Sequence, residues 1–399
     1  MKLLKTKIKN NVLKSMIEIL NKDRNQIINA NKKDLEAFKK EDQAMYDRLI
    51  VTDKKIDEMI QSIEEVLQQE DPVGKEKSNK KLKNGLHIIN KTSPFGTIMI
   101  IYESRPDVTI EAAVLAFKAN NKILLKGGKE AFYSNEILVH CWHKALSENN
   151  LSKDWIEFLF LNRNETQEFL KNPTQKLDLI VPRGGENLIS FVKKHATCNI
   201  LISGRGNNFL YISENADWDK TIQIILNAKI QKISACNALD KILINPSIEN
   251  YQEKLKELNT ILNHNNVEVL VDKNAFEILP QQQLIVDNSI WHEEFLAMKC
   301  CIGTTNNLNE AIQLINEYSG GHSATIMTTN TNEALEFMNQ VDSAAVYHNA
   351  STRFTDGGQM GVGAELAIST DKLHHRGPLG LEQLVTNKYY IFGDGQVRT

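Results

Sequence analysis

The chain has 399 residues, enough for two or three domains at about 150 residues each and for a core that needs no disulfide or metal staple. Its 47 Lys plus Arg balance 50 Asp plus Glu, a formal charge of −3, which excludes any general attraction to nucleic acid or anionic lipid. Hydrophobic residues at 41% and charged residues at 24% exclude collagen-like and disordered classes, and no apolar run approaches the ~18 residues of a membrane span.

The first residues lack the apolar run of a secretory signal, and the 5 cysteines are odd in number. Free thiols in a reducing compartment, the cytoplasm, are therefore expected. No CxxC pair is present, and the histidines, His322, His374 and His375 among them, have no metal spacing, so no metal site is expected.

Residues 1–70 read as helices, with Val12, Met16, Ile19 and Leu20 on one face and Ile56, Ile60, Ile63 and Leu67 on another. Residues 71–83, polar and holding Pro72 and Gly74, read as a loop leading into 86–90. From Thr97, apolar runs at 97–101, 123–126, 158–161, 178–181 and 200–202 alternate with amphipathic stretches at 108–119, 130–146, 166–170 and 186–194. That alternation predicts βαβ units around a parallel sheet. The second half repeats it, with strands expected at 242–244, 267–271, 324–327 and 344–347 and helices at 217–232, 308–318 and 333–339. The prediction is two α/β lobes, with ligands at the C-terminal ends of the strands.

G-x-G-x-x-G, the P-loop, G-x-S-x-G and H-E-x-x-H are all absent. Two glycine pairs instead follow a strand and precede a helix: Gly127-Gly128, flanked by Lys126 and Lys129, and Gly184-Gly185, preceded by Arg183. Each is either a tight turn that needs glycine or a place where backbone amides meet a phosphate. Cys141, Cys300 and Cys301 read as packing. Cys236 differs, because in Ile233-Ser234-Ala235-Cys236-Asn237-Ala238 small neighbours leave room for a substrate and Asn237 offers amide hydrogens to an oxyanion. A buried inert thiol is the alternative. Arg105, Arg353 and Arg376 lie in loops beside proline or glycine clusters, where an arginine grips carboxylate or phosphate, or forms a surface ion pair.

Residues 93–109, 123–131, 181–185, 227–229, 234–238 and 341–358, then Gly361-Val362-Gly363-Ala364-Glu365, 368–370, His375-Arg376-Gly377-Pro378 and 393–398, form long blocks in order over nearly the whole chain. In these blocks the sequence resembles the gamma-glutamyl phosphate reductases (glutamate-5-semialdehyde dehydrogenases) of proline biosynthesis, a branch of the aldehyde dehydrogenase superfamily. The resemblance implies cofactor-binding and catalytic three-layer α/β lobes plus a small oligomerisation element. Residues 1–205 would form the cofactor-binding domain, completed by 363–399 with the oligomerisation element, and 206–362 the catalytic domain.

The resemblance implies NADPH as the cofactor, held by Lys126, Gly127, Gly128, Lys129, Arg183, Gly184, Gly185 and Glu294, with Lys129 suited to a 2′-phosphate. It implies Cys236 as the nucleophile, Asn237 beside the oxyanion, and Arg105, Arg353 and Arg376 on the substrate, L-glutamyl 5-phosphate. A separate glutamate 5-kinase would supply that substrate, and the enzyme would be a homo-oligomer. Ser203 stands near the place where aldehyde oxidisers carry a glutamate base, which favours phosphate over water as acyl acceptor. Two departures stand out: Gly206-Asn207-Asn208-Phe209 replaces the usual Gly-x-Cys-His, and Asp240 stands where a glutamate is common. Competing readings are a relative that acts on another aldehyde or acyl phosphate, and a binding protein that keeps the fold without catalysis.

Overall fold

The apolar spacing of the first 70 residues is matched by helices Thr6–Lys22, Arg24–Ala37, Gln43–Leu49 and Asp53–Gln68. Val12, Met16, Ile19 and Leu20 of the first and Ile56, Ile60 and Ile63 of the last are buried in one core. Thr52 caps the last of these, its side chain accepting from the Lys55 N–H. This computed structural model describes residues 2–38 and 43–398. The chain divides into two units, Met1–Ile202 with Val362–Ala367 and Leu379–Thr399, and Ser203–Gly361 with Ile368–Pro378.

The polar stretch expected as a loop holds a strand, β1 (Glu76–Lys81). It pairs antiparallel with β2 (His87–Pro94), which pairs on its other side with Val385–Phe392. Neither outer strand buries a face: β1 is almost wholly exposed, and Tyr389, Ile391 and Phe392 are 59%, 60% and 56% exposed. With no buried face there is no apolar alternation, and only the ladder hydrogen bonds mark the strand.

The first unit's main sheet comprises β3 (Thr97–Tyr102), β4 (Lys122–Lys126), β5 (Ile156–Phe158), β6 (Leu179–Arg183) and β7 (Asn199–Ile200). All pairs are parallel, in the order β5-β4-β3-β6-β7. The order reverses between β3 and β6, so their C-terminal ends flank a switch point. Helices Pro106–Lys118 and Phe132–Glu148 bury almost continuous apolar faces, as crossovers on a parallel sheet require.

The second unit's sheet comprises β8 (Asn208–Ile212), β9 (Leu239–Ile244), β10 (Glu268–Val271), β11 (Gln283–Leu284), β12 (Lys299–Thr304), β13 (Ser323–Met327) and β14 (Ala345–His348). It is parallel throughout, in the order β11-β10-β12-β9-β8-β13-β14. The sequence predicts no strand at β12 because two of its buried residues are Cys300 and Cys301, whose small side chains give no aliphatic run. They are packing residues, as expected.

The expectation that 363–399 as a whole completes the first domain is corrected: Ile368–Pro378 groups with the second unit. Arg376 accounts for this, since its guanidinium bonds Asp342 Oδ1 at 2.7 Å, the Asp342 carbonyl at 2.9 Å and the Thr370 carbonyl at 3.2 Å.

Candidate active site

In the first unit the expected nucleotide residues gather at the C-terminal ends of β3, β4 and β6, as the switch-point rule anticipates. Lys126 closes β4, and its Nζ donates to the Gly127 carbonyl at 3.1 Å. Burial pushes the Lys126 ammonium below its ordinary value, against the pull of Glu130 and Glu103. Gly127 is glycine for packing, because a Cβ there would strike the Asn135 amide and lie 3.2 Å from the Tyr102 ring. Gly184 and Gly185 are exposed and lead into helix Glu186–His195, with Gly185 as its N-cap. The Glu103 carboxylate accepts from the Gly185 N–H at 3.3 Å, a long bond that an incoming anion displaces at small cost. Lys129 is exposed and Arg183 half-buried. An open helix N-terminus, exposed glycines and three cations make a donor set that fits the phosphates of a dinucleotide.

Arg105 also lies in the first unit, where its Nη2 bonds Asp107 at 3.0 Å and approaches Glu111 at 3.9 Å. Arg105 and Lys55 together hold the buried Asp107 carboxyl down at about 2, against burial, the largest single influence on it. Arg105 thus has an ion-pair role in addition to any substrate contact.

Cys236 is half-buried in an irregular segment between helix Trp218–Ile230 and β9. It therefore sits at the N-terminal side of β9, not at a C-terminal strand end. The segment is held through its carbonyls. The Asn208 Nδ2 lies 2.8 Å from the Cys236 oxygen and 2.7 Å from that of Ala238, and Thr352 Oγ1 donates to the Asn237 carbonyl at 2.7 Å. The side-chain role expected of Asn237 is corrected: its Nδ2 donates to the Arg353 and Thr355 carbonyls at 3.1 and 2.9 Å, and the residue is 4% exposed. Both amide hydrogens are engaged in joining two loops, so they are not offered to an oxyanion.

Arg353 is brought to this place. Its Nε donates to Gln231 Oε1 at 3.1 Å, while Nη1 is buried with no hydrogen-bond partner among the described residues. Burial lowers the guanidinium pKa, whereas Cys236 and Asp356 draw it upward. A buried guanidinium N–H without an acceptor is costly and suits an anionic group from outside. Arg376, bound on three sides as described, is a clamp between chain segments and not an open anion site.

Glu294 is half-buried in a loop fixed by β9. Lys241 Nζ donates to the Glu293 carbonyl at 2.7 Å and lies 3.7 Å from the Phe295 ring centroid, and Asp240 accepts from the Phe295 N–H at 2.8 Å. Asp240 also pairs with buried Lys229 at 2.8 Å, so the aspartate in place of glutamate fits a closed network.

The residues that sequence reasoning missed are those beneath the loop. Ser323 Oγ lies 2.7 Å from both His322 Nδ1 and Thr355 Oγ1, and Thr355 Oγ1 is 2.8 Å from the Tyr347 hydroxyl. The sequence marks this region only through the nearby Asn207-Asn208 departure from Gly-x-Cys-His. His322 is fully buried, which lowers its pKa to about 4. The unfolded chain binds this proton from about pH 6.5 downward and the folded chain only near 4, so stability falls as pH drops through that window. We predict that His322→Gln loses about 3 kcal/mol less than wild type between pH 7 and pH 4. Urea unfolding at both pH values checks this, and equal losses in the two proteins would refute it.

The profile of the Aldehyde dehydrogenase family matches residues 4–275 and 282–365. A gamma-glutamyl phosphate reductase of Persephonella marina is 40% identical over 402 residues, 98% of this chain and 90% of the relative. The crystal structure of a gamma-glutamyl phosphate reductase from Thermotoga maritima superposes with a TM-score of 0.94 at 40% identity, over 99% of this chain and 95% of that one. A glyceraldehyde-3-phosphate dehydrogenase of Methanocaldococcus jannaschii, solved with NADP, shares the fold at TM-score 0.67 and 16% identity, over 98% of this chain and 91% of that one.

Proposed function

The chain belongs to the aldehyde dehydrogenase family, within its gamma-glutamyl phosphate reductases, and from that premise we propose that it reduces L-glutamyl 5-phosphate to L-glutamate 5-semialdehyde and phosphate through a thioester on Cys236. The observation that carries this reading is Arg353, whose Nη1 is buried with no hydrogen-bond partner among the described residues and whose guanidinium pKa is drawn upward by Cys236. An acyl phosphate bearing a carboxylate is doubly anionic and electrophilic, and needs both a sulfur nucleophile and a cation.

The Cys236 sulfur attacks the acyl carbon, the C–O bond to phosphate breaks, and phosphate leaves with the bonding pair. The guanidinium of Arg353 favours negative charge on the attacking sulfur and on the substrate anion. Backbone N–H groups of the Cys236 segment take the oxyanion role, because the Asn237 side chain is engaged elsewhere. NADPH, when bound, supplies the hydride that reduces the thioester. Lys126, Lys129, Arg183 and the Gly127-Gly128 and Gly184-Gly185 turns would hold its anionic groups, and Glu294 would hold its nicotinamide ribose. A thiohemiacetal then releases the aldehyde and restores the thiol.

The cofactor preference is read from Lys129, an exposed cation beside the Lys126 turn. Lys129→Glu is expected to raise KM for NADPH about tenfold and leave that for NADH within about twofold. An equal rise for both cofactors would remove Lys129 from the 2′-phosphate.

A separate glutamate 5-kinase would supply the acyl phosphate, and the location we propose is cytoplasmic; no helix of the described residues is long and apolar enough to cross a membrane. The exposed Tyr389, Ile391 and Phe392 of the three-stranded sheet support a homo-oligomer. The deciding experiment is the reverse reaction: NADP+ reduction by glutamate 5-semialdehyde in the presence and absence of inorganic phosphate. Strict dependence on phosphate supports the acyl phosphate, while turnover without it means that water accepts the acyl group and the reading is wrong.

A further inference from the structure

Asn208 opens β8 and is fully buried. Its Nδ2 lies 2.8 Å from the Cys236 carbonyl oxygen, 2.7 Å from that of Ala238 and 2.9 Å from that of Gly206. Two N–H bonds serve three carbonyls, so one hydrogen is shared. The approach requires glycine at 206, where a Cβ would fall on the Cys236 carbonyl and lie 2.6 Å from its carbon and from the Cys236 Cα.

Resting on the reading of Cys236 as nucleophile, we propose that Asn208 is its positioning residue, orienting the Cys236–Asn237 peptide through the carbonyl that it holds. The peptide unit is planar and trans, so a Cys236 carbonyl turned toward Asn208 sends the Asn237 N–H in the opposite direction. The next peptide is fixed independently by Thr352 Oγ1 on the Asn237 carbonyl. The segment therefore presents its sulfur and its outward N–H in one orientation, which is what a nucleophile and an oxyanion donor need when they act on the same carbon.

This gives the Asn207-Asn208-Phe209 departure a function. A thiol at 208 is a weak single donor and cannot hold three carbonyls. Phe209 is buried and stacks on Trp291 with centroids 6.4 Å apart, and Asn207 Nδ2 holds the Trp291 carbonyl at 2.6 Å. Adjacent asparagines thus tie down the nucleophile's segment and the start of the loop that carries Glu294.

The test compares Asn208→Ala and Gly206→Ala with wild type in the phosphate-dependent assay, alongside the pH profile of Cys236 alkylation by iodoacetamide. Gly206→Ala displaces the same carbonyl while the Asn208 side chain itself is kept, so either variant decides if the other fails to fold. Leu258→Ala, in the core of the same unit, is the control for lost stability, with all proteins assayed below their unfolding temperatures. In both test variants kcat is expected to fall about 100-fold with KM changed less than about threefold, and the alkylation profile to shift along the pH axis, while the control keeps kcat. A kcat within about threefold of wild type, a loss confined to KM, or a loss matched by the control would overturn the proposal. Wild type that turns over after its Cys236 is fully alkylated would instead overturn the reading of the nucleophile itself.

Discussion

Cys236→Ala is expected to bring phosphate-dependent NADP+ reduction by glutamate 5-semialdehyde to background, a loss of at least about 1,000-fold, with nucleotide binding retained within about twofold. Nucleotide binding should persist because the donors proposed for its phosphates lie at the ends of β4 and β6, in the unit that does not contain Cys236. The side chain lost is small and half-buried among small residues, so no large cavity forms and the unfolding temperature stays close to wild type. Acid-quenched wild type incubated with glutamyl phosphate without NADPH is expected to carry a glutamyl mass on the peptide containing Cys236. The same adduct on any of the other four cysteines, or activity surviving in the alanine variant, would move the chemistry elsewhere. Cys141 and Cys300 are poor competitors, because burial pushes both thiols up to about 12.

Arg353→Met is expected to separate function from stability. Its Nη1 is buried without a hydrogen-bond partner among the described residues, and burial already works against its charge. Methionine keeps much of the apolar stem and removes a half-buried cation with one unsatisfied nitrogen, so the unfolding temperature should hold or rise by the equivalent of about 1 kcal/mol. If Arg353 grips the substrate as proposed, the anion loses a charge-assisted contact, and KM for glutamyl phosphate should rise about 100-fold. Arg353→Lys recovers only part of this, since a point charge does not reproduce the guanidinium fork. Equal kinetics in wild type and Arg353→Met would free the substrate site from Arg353. A fall in stability with no change in KM would make the residue a structural one, like Arg376.

The α/β character of both units, the helical N-terminus and most crossover helices were legible in the chain, because each buries an apolar face whose period survives in one dimension. Strands that bury no face, β1 and Val385–Phe392, left no such trace, and β12 hid behind two cysteines. The same division runs through the site. Lys126, Gly184 and Gly185 sit where a strand hands over to a helix, a local feature that sequence order states directly. Cys236 stood out through its small neighbours, again a local property.

What tertiary structure alone decided is which polar groups are already engaged. Asn237 and Arg376 read as donors for a ligand, and both meet carbonyls or carboxylates from residues between 6 and 118 positions away. Arg353, an arginine like Arg376, keeps one nitrogen without a hydrogen-bond partner among the described residues. In sequence Asn208 is only a departure from the usual Gly-x-Cys-His, yet it holds the carbonyl of a residue 28 positions on. The residues themselves determined the kind of fold and the chemistry within reach. The contacts of each hydrogen-bond donor were decided only by the packing of β8, β9 and β13, because a donor is silent about its acceptor until the chain brings the two together.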